Sequence, residues 1–234
     1  MIKPENIKGH LETITRHRHE VIKNCFRAGI GFQGLFHDLS KYSPTELIQG
    51  FKYYQGNRSP NEKERELYGY SKAWLHHKGR NKHHFEHWVD YSIDGEHVIM
   101  GAQMPRKYVA EMVVDRISAS RNYLGDAYDD SQPLDYFLKS KEKLWFIHPQ
   151  TKKELEALLR ILNDHGEEKL LHYIKYRYLR GDVAIHSSVC HRLYMARLFF
   201  LSLYVRAILF LSTTRAMPKP QDMAMQVLPN NWLR

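Results

Sequence analysis

The chain has 234 residues, of which 43% are apolar and 26% are charged, an ordinary balance for a globular protein with one full core and an appendage. Its two cysteines, Cys25 and Cys190, exclude a disulfide framework and a CxxC-type metal site. The N-terminus has no apolar signal core. Both features favour a cytoplasmic protein over a secreted one. Lys and Arg exceed Asp and Glu by nine (35 against 26), so the surface favours anionic partners such as nucleic acid, nucleotides, phosphorylated metabolites or an acidic membrane, unless the charge serves solubility alone.

A long amphipathic helix is predicted first, over residues 4–27. Its apolar residues recur at three- and four-residue spacing and form one stripe, namely Ile7, Leu11, Ile14, Val21 and Cys25. Glycines at positions 29, 31 and 34 end the pattern. A short helix carrying Leu35-Phe36-His37-Asp38-Leu39 is predicted next.

The middle of the chain continues the helical pattern. Ser43-Pro44-Thr45-Glu46 resembles a capping box with proline at the first helical position, which predicts another helix start. The polar stretch 56–69 is predicted to be a loop. Helices are then predicted over residues 71–77, 82–91 and 105–124, with an irregular segment at 92–105.

After a turn-rich link at residues 126–133, a last amphipathic helix is predicted to begin at Thr151 and to end near Gly166. No strand-like alternation persists along the chain. The predicted fold is therefore all-α, with one helical domain over residues 1–180.

Residues 181–234 are predicted to be a C-terminal extension with a loose end. Its segment 193–213 is strongly apolar but contains Arg197 and Arg206, which would lie on opposite faces of a helix. Insertion into a bilayer would be only marginally favourable. Membrane association, packing on the core and an oligomer contact all stay open.

The most informative pattern is the placement of histidines and two aspartates. His17 lies at the rim of the first apolar stripe and is predicted to be a metal ligand, whereas His19 lies about 200° further round and is predicted to be exposed. His37 and Asp38 follow as a doublet, and an ion over the edge between two neighbouring side chains could bind both.

Asp115 lies in a mostly apolar helix, where an isolated carboxylate would carry a large desolvation cost. Glu111, one turn earlier, would add like charge. A bound cation would solve the problem, and the alternative is an ion pair with a distant base such as Arg18.

Two histidine pairs, His76-His77 and His83-His84, flank a Gly-Arg-Asn turn and suit a second ion or a substrate phosphate. One member of each pair is expected to face inward. The other histidines are expected at the surface or behind the ligands, namely His87, His97, His148, His165, His172, His186 and His191.

At these residues the chain resembles the HD-domain superfamily of metal-dependent phosphohydrolases, whose ordered signature is His…His-Asp…Asp. It is more closely similar to an uncharacterised bacterial and phage family of the DUF5662 type, which shows an HDLSK-type motif followed by Ser-Pro and an acidic residue, a Trp-Leu-His-His…Arg-Asn…His-His stretch and a Glu-Met…Asp motif. The blocks of this chain that carry the resemblance are residues 37–46, 74–84 and 111–115. The resemblance covers about residues 7–180. It implies an HD-domain-like helical bundle with one or two divalent ions.

The leading prediction is hydrolysis of a phosphate ester of a nucleotide or another small phosphorylated molecule. The metal ligands would be His17, His37, Asp38 and Asp115, with Asp38 bridging to a second ion held by His76, His77, His83 and His84. Mn, Fe, Co, Ni or Zn suit mixed imidazole and carboxylate ligands better than Mg. Lys41 and Arg80 are predicted to bind substrate phosphate, unless Lys41 pairs with Asp38 and Arg80 is a solvated turn residue.

Two other classes stay open. One is a di-iron oxygenase on the same scaffold. The other is a non-enzymatic protein in which the ion is structural and interleaved aromatic and basic residues bind nucleic acid. These residues are Tyr53, Tyr54, Arg58, Arg65, Tyr68, Tyr70 and Lys72. A solvated helix face and loop would show the same pattern.

Overall fold

The computed structural model describes residues 2–93 and 95–181. This part contains eight α-helices: α1 (Pro4–Arg27), α2 (Gly31–Leu35), α3 (Pro44–Tyr53), α4 (Pro60–Tyr68), α5 (Lys72–Arg80), α6 (Arg106–Leu124), α7 (Gln132–Ser140) and α8 (Pro149–Tyr173). Two three-residue strands, β1 (Val89–Tyr91) and β2 (Ile99–Gly101), pair antiparallel with Val89 opposite Gly101. The prediction of an all-α fold is confirmed.

The core lies where α1, α6, α7 and α8 meet. Val21, Val113, Phe137, Leu158 and Leu162 are among its fully buried side chains. The first half of α6 is buried nearly all round, as expected for a helix apolar on most of its circumference. Two polar residues of α6, Glu111 and Ser118, are therefore buried in the protein interior.

The predicted helix across residues 35–39 is wrong. Instead, α2 ends at Leu35, residues 36–38 form a turn, and a 3-10 helix follows at Leu39–Tyr42. Arg18 explains the change. Its guanidinium donates hydrogen bonds to the backbone carbonyls of Leu35 and His37, and a continued helix would need these carbonyls as acceptors for its own N–H groups. Arg18 therefore holds this turn and does not pair with Asp115.

Asp38 itself has a left-handed backbone, with φ of 54°. A non-glycine residue in this region costs about 1–3 kcal/mol and persists only where its surroundings impose it. Just before this residue, α2 packs tightly against α1, since a Cβ at Gly34 would overlap the Cys25 side chain. The turn is thus held against the core.

Two other local predictions are wrong. The stretch 56–69 is a loop only over residues 56–59. Ser59 then caps α4, with its Oγ accepting a hydrogen bond from the Asn61 amide at 3.3 Å, and Gly69 ends the helix with φ of 77°. α3 does start at Pro44, but the Ser43 side chain makes no capping hydrogen bond, and Glu46 turns to the histidines described below.

The remaining differences concern later elements. Residues 82–91 form a turn, a 3-10 helix (Phe85–Trp88) and β1 instead of a helix, because the extended backbone pairs with β2. α7 was not predicted. α8 begins at Pro149, with His148 as its cap, and continues past a non-helical kink at Gly166.

Residues 182–234 lie outside the described residues, so the predictions for Cys190, His186, His191, the apolar segment 193–213 and the whole extension, including membrane or oligomer contact, stay predictions. Within residues 2–93 and 95–181, no helix is long and apolar enough to cross a membrane.

We expect Cys25 to be unreactive in the folded protein. Its side chain is fully buried, and burial together with the charges of Glu111 and Asp115 raises its pKa, so the thiol stays protonated and weakly nucleophilic. A Cys190→Ser variant, which leaves Cys25 as the sole thiol, should not react with a thiol-specific dye until denaturant is added. Rapid labelling under native conditions would contradict the burial.

Candidate metal centre

The predicted ligands converge from four parts of the fold. His17 lies on α1, Asp115 on α6, and His37 and Asp38 in the turn after α2. The paired histidines come from α5 and the turn that follows it. Among the described residues, all of these side chains except His76 belong to groups whose nitrogen and oxygen atoms lie within 4.8 Å of one another and could hold metal ions.

The first group contains His17, His37, Asp38 and Asp115. His17 Nε2 lies 3.0 Å from Asp115 Oδ1 and 3.8 Å from Asp38 Oδ2. His37 Nε2 lies 3.3 Å from the same Asp38 oxygen and 3.5 Å from Asp115 Oδ1. Two imidazole nitrogens and two carboxylate oxygens thus face one small volume.

The second group contains Asp38, His77, His83 and His84. It uses the other oxygen of Asp38, since His77 Nε2 lies 3.2 Å and His83 Nε2 3.4 Å from Oδ1. His84 Nε2 lies 2.9 Å from His77 Nε2. Asp38 therefore stands between two groups of imidazoles and presents one oxygen to each.

Several atoms that face these groups are buried without any hydrogen-bond partner, namely His17 Nε2, His37 Nε2, Asp38 Oδ1 and His83 Nε2. A buried polar atom left unsatisfied costs about 1–3 kcal/mol. Four such atoms gathered at one place are the arrangement that a bound cation would satisfy. The donor set therefore fits a divalent transition metal.

Two further carboxylates lie behind the imidazoles, on the side away from Asp38. Glu111 Oε1 lies 2.9 Å from His37 Nδ1 and 3.2 Å from His83 Nδ1. Glu46 Oε2 lies 2.8 Å from His77 Nδ1, and its Oε1 lies 2.6 Å from His76 Nδ1. Carboxylates in this position orient imidazoles that bind a metal through their other nitrogen.

Neither glutamate is predicted from the sequence to belong to the candidate centre. In the sequence, Glu46 fits a capping box and Glu111 adds unfavourable like charge beside Asp115. In the structure Glu111 faces imidazole N–H groups instead. Its position four residues before Asp115, on the same helix face, is the signal that could have found it.

The carboxylates and imidazoles of the centre shift each other's pKa values. Burial opposes every charge here, but the carboxylates, Asp38 above all, hold the pKa of His37 well above its usual value and raise the pKa of His77 to about 9. Conversely, the imidazoles and Lys41 outweigh burial and keep the pKa of Asp38 well below its usual range.

Burial and neighbouring charges also shift the pKa values of the other members of the centre. Burial also opposes the charges of Glu111 and Asp115, but the nearby histidines lower the pKa of Glu111 to about 2 and hold that of Asp115 well below its usual range. Burial and nearby positive charge lower the pKa of His17 and His84, so these imidazoles stay neutral and keep a free lone pair.

The structure also decides between members of the histidine pairs. His77 faces the second group while His76 turns to Glu46, but His83 and His84 both face inward, with ring centroids 4.1 Å apart. The expectation of one inward histidine per pair fails for the second pair because these residues lie in a turn, where helical phase does not separate them. His19 is exposed, as expected.

The two predicted phosphate ligands are placed differently. Lys41 Nζ lies 2.7 Å from Asp38 Oδ2, and its side chain is 29% exposed, so it reaches from the centre toward solvent. Arg80 is exposed and donates a hydrogen bond to the carbonyl of His76, at the end of its own helix. Of these two side chains, only that of Lys41 contacts a residue of either group.

The aromatic and basic residues considered for nucleic-acid binding are partly used for internal contacts. Tyr53 is buried and its hydroxyl lies 3.2 Å from that of Tyr68, while Arg58 pairs with Glu66. Tyr53, Tyr68 and Tyr70 line a cavity of about 200 Å³ together with Lys52 and Lys72. This stretch is thus a helical surface with a small pocket.

Comparison with known proteins identifies a family for this chain but no characterised relative. No curated protein and no solved structure matches the chain. A profile described as a family of unknown function, DUF5662, matches residues 6–161, which include every residue of both candidate groups. The chain therefore belongs to the DUF5662 family.

Proposed function

We propose that the protein is a metal-dependent phosphohydrolase that acts on a nucleotide or another small phosphorylated molecule through a centre for two divalent ions. The observation that carries the proposal is the position of Asp38, whose two oxygens face separate groups of buried imidazole nitrogens. A carboxylate shared between two ions is typical of two-metal hydrolytic sites.

His17, His37, Asp38 and Asp115 would hold one ion, and Asp38, His77, His83 and His84 the other. Imidazole-rich ligands favour Mn, Fe, Co, Ni or Zn over Mg. Ions bound there would supply a water molecule acidic enough to lose its proton near neutral pH and would neutralise charge on phosphate oxygens.

The chain's own residues would orient the substrate. Lys41 lies at the edge of the centre against Asp38 Oδ2. Once that oxygen is committed to an ion, the ammonium group is available to a phosphate oxygen. The net positive charge of the chain would favour the approach of an anionic substrate.

The order of the ligands along the chain supports the same reaction class. His17, the His37-Asp38 doublet and Asp115 follow the order of the HD-domain phosphohydrolase signature, and they lie together in the structure. We infer that the helical domain is HD-like.

The proposal is tested by matched histidine variants on α1. His17 faces the first group and His19 faces solvent, two residues away. Losing one ion should remove several kcal/mol of transition-state stabilisation, so we expect His17→Ala to lower kcat by at least about 10³-fold. His19→Ala should stay within about twofold of wild type. The measurement is phosphate release from nucleoside phosphates and p-nitrophenyl phosphate with Mn²⁺, Co²⁺ or Zn²⁺.

Other outcomes would point elsewhere. Iron-loaded protein that absorbs visible light, consumes dioxygen and hydrolyses no phosphoester would favour the oxygenase class. Salt-dependent binding to nucleic acid, with no phosphoester hydrolysis in the presence of any of these metals, would favour a non-enzymatic nucleic-acid-binding protein. Equal activity of the two histidine variants would contradict the proposal directly.

A further inference from the structure

We propose that Glu111 is a positioning residue shared by both ion sites, and that its loss weakens the binding of both ions together. This inference rests on the proposed metal centre and goes beyond it, since it assigns a role to a residue that binds neither ion.

The geometry of Glu111 is unusual because a single oxygen serves two imidazoles. Its Oε1 lies 2.9 Å from His37 Nδ1 and 3.2 Å from His83 Nδ1. The two rings lie close together, with centroids 4.4 Å apart and planes inclined by 32°. His37 belongs to the first group and His83 to the second.

These contacts determine which nitrogen of each ring is free. With an ion bound, a histidine ligand is a neutral imidazole with one N–H and one lone pair. A carboxylate accepts hydrogen bonds only, so each Nδ1 that faces Glu111 would keep the proton, and the lone pair on Nε2 would bind the ion. In both rings Nε2 is the buried atom without a partner, and it points toward Asp38.

Glu111, His37 and His83 could themselves be taken for a third metal site, since their ligand atoms lie within 4.8 Å of one another. The free Nε2 atoms argue against this. An ion held by Glu111 and both Nδ1 atoms would leave two buried Nε2 atoms still unsatisfied. Glu111 therefore serves as a hydrogen-bond acceptor behind the ligands.

The carboxylate is itself held in place. It is 4% exposed, and its second oxygen accepts a hydrogen bond from Gln33, whose amide also donates to the carbonyl of Lys107 at 3.1 Å. A buried side chain fixed at both oxygens has little freedom to reorient. The two imidazoles are therefore oriented as a unit.

Glu46 supplies a natural control. It stands behind His77 in the same way as Glu111 stands behind His83. In the part of the chain that the structure describes, Glu46 contacts His77 of the second group but none of His17, His37 and Asp115 of the first. Removing Glu46 should therefore affect the second ion alone.

The experiment measures Mn²⁺ and Zn²⁺ dissociation constants in variants that keep one site each. His84→Ala leaves the first group complete, and His17→Ala leaves the second. Glu111→Ala should weaken the remaining ion by about 10–100-fold in both backgrounds, as loss of such outer partners does. Glu46→Ala should do so only in the His17→Ala background. Glu111→Gln, which keeps an acceptor oxygen, should restore most of the affinity.

A second readout does not depend on how well the variants fold. In metal-loaded wild-type protein, nitrogen NMR of the histidine rings should show His37 and His83 protonated at Nδ1 and metal-bound at Nε2. Metal at Nδ1 of either ring, or weakening of only one ion in folded Glu111→Ala protein, would overturn the inference and leave the proposed function standing. Wild-type protein that binds no ion would defeat the proposed function itself.

Discussion

Asp38→Asn should lose both metal ions. The amide removes the negative charge between the two groups and replaces one of the two oxygens with a nitrogen that has no free lone pair. Asn also tolerates the left-handed backbone found at this position, so the turn should stay intact. Elemental analysis after desalting should find metal near two equivalents in wild type and near zero in the variant.

Single-site variants calibrate this result. His17→Ala and His84→Ala should each lose one ion, because each contributes to one group only. Asp135→Asn changes an exposed carboxylate on α7 and should keep the wild-type metal content. Two retained ions in Asp38→Asn would show that Asp38 is not the bridge.

Chelation should destabilise the protein strongly. An ion that binds only the folded state adds about 4 kcal/mol when its free concentration is a thousand times Kd. For a domain of this size, 1 kcal/mol shifts Tm by about 2–4 °C, so the removal of each ion should lower Tm by about 8–16 °C. Thermal unfolding followed by circular dichroism, with and without EDTA, measures the shift.

The same melts on Asp38→Asn provide the control, because a protein without the bridge should respond little to added metal. Chelated wild-type protein that melts at the temperature of the metal-loaded protein would show that the buried atoms without partners are not satisfied by an ion.

Several of the candidate ligands could be predicted from the sequence because their positions depend on local helical phase or chemistry. His17 lies at the edge of an apolar stripe, and a carboxylate inside α6 needs a positive partner. The all-α class follows from helical periodicity, which is the strongest local signal. These features do not require knowledge of which helices pack together.

The orienting carboxylates could not be assigned in the same way. Glu46 satisfies a local capping pattern, yet its side chain bonds His76 and His77, which lie thirty or more positions along the chain. The turn at His37 and Asp38 depends on Arg18, nineteen residues before His37. Tertiary contacts of this kind override local patterns, and the sequence alone does not reveal them.

The most direct test of the account is the anomalous scattering of a crystal of the wild-type protein grown with Mn²⁺. Two peaks from bound Mn²⁺ are expected. One should lie beside Asp38 Oδ2, among His17, His37 and Asp115, and the other beside Asp38 Oδ1, among His77, His83 and His84. The absence of any peak at Asp38 in a crystal that holds Mn²⁺ elsewhere would contradict it.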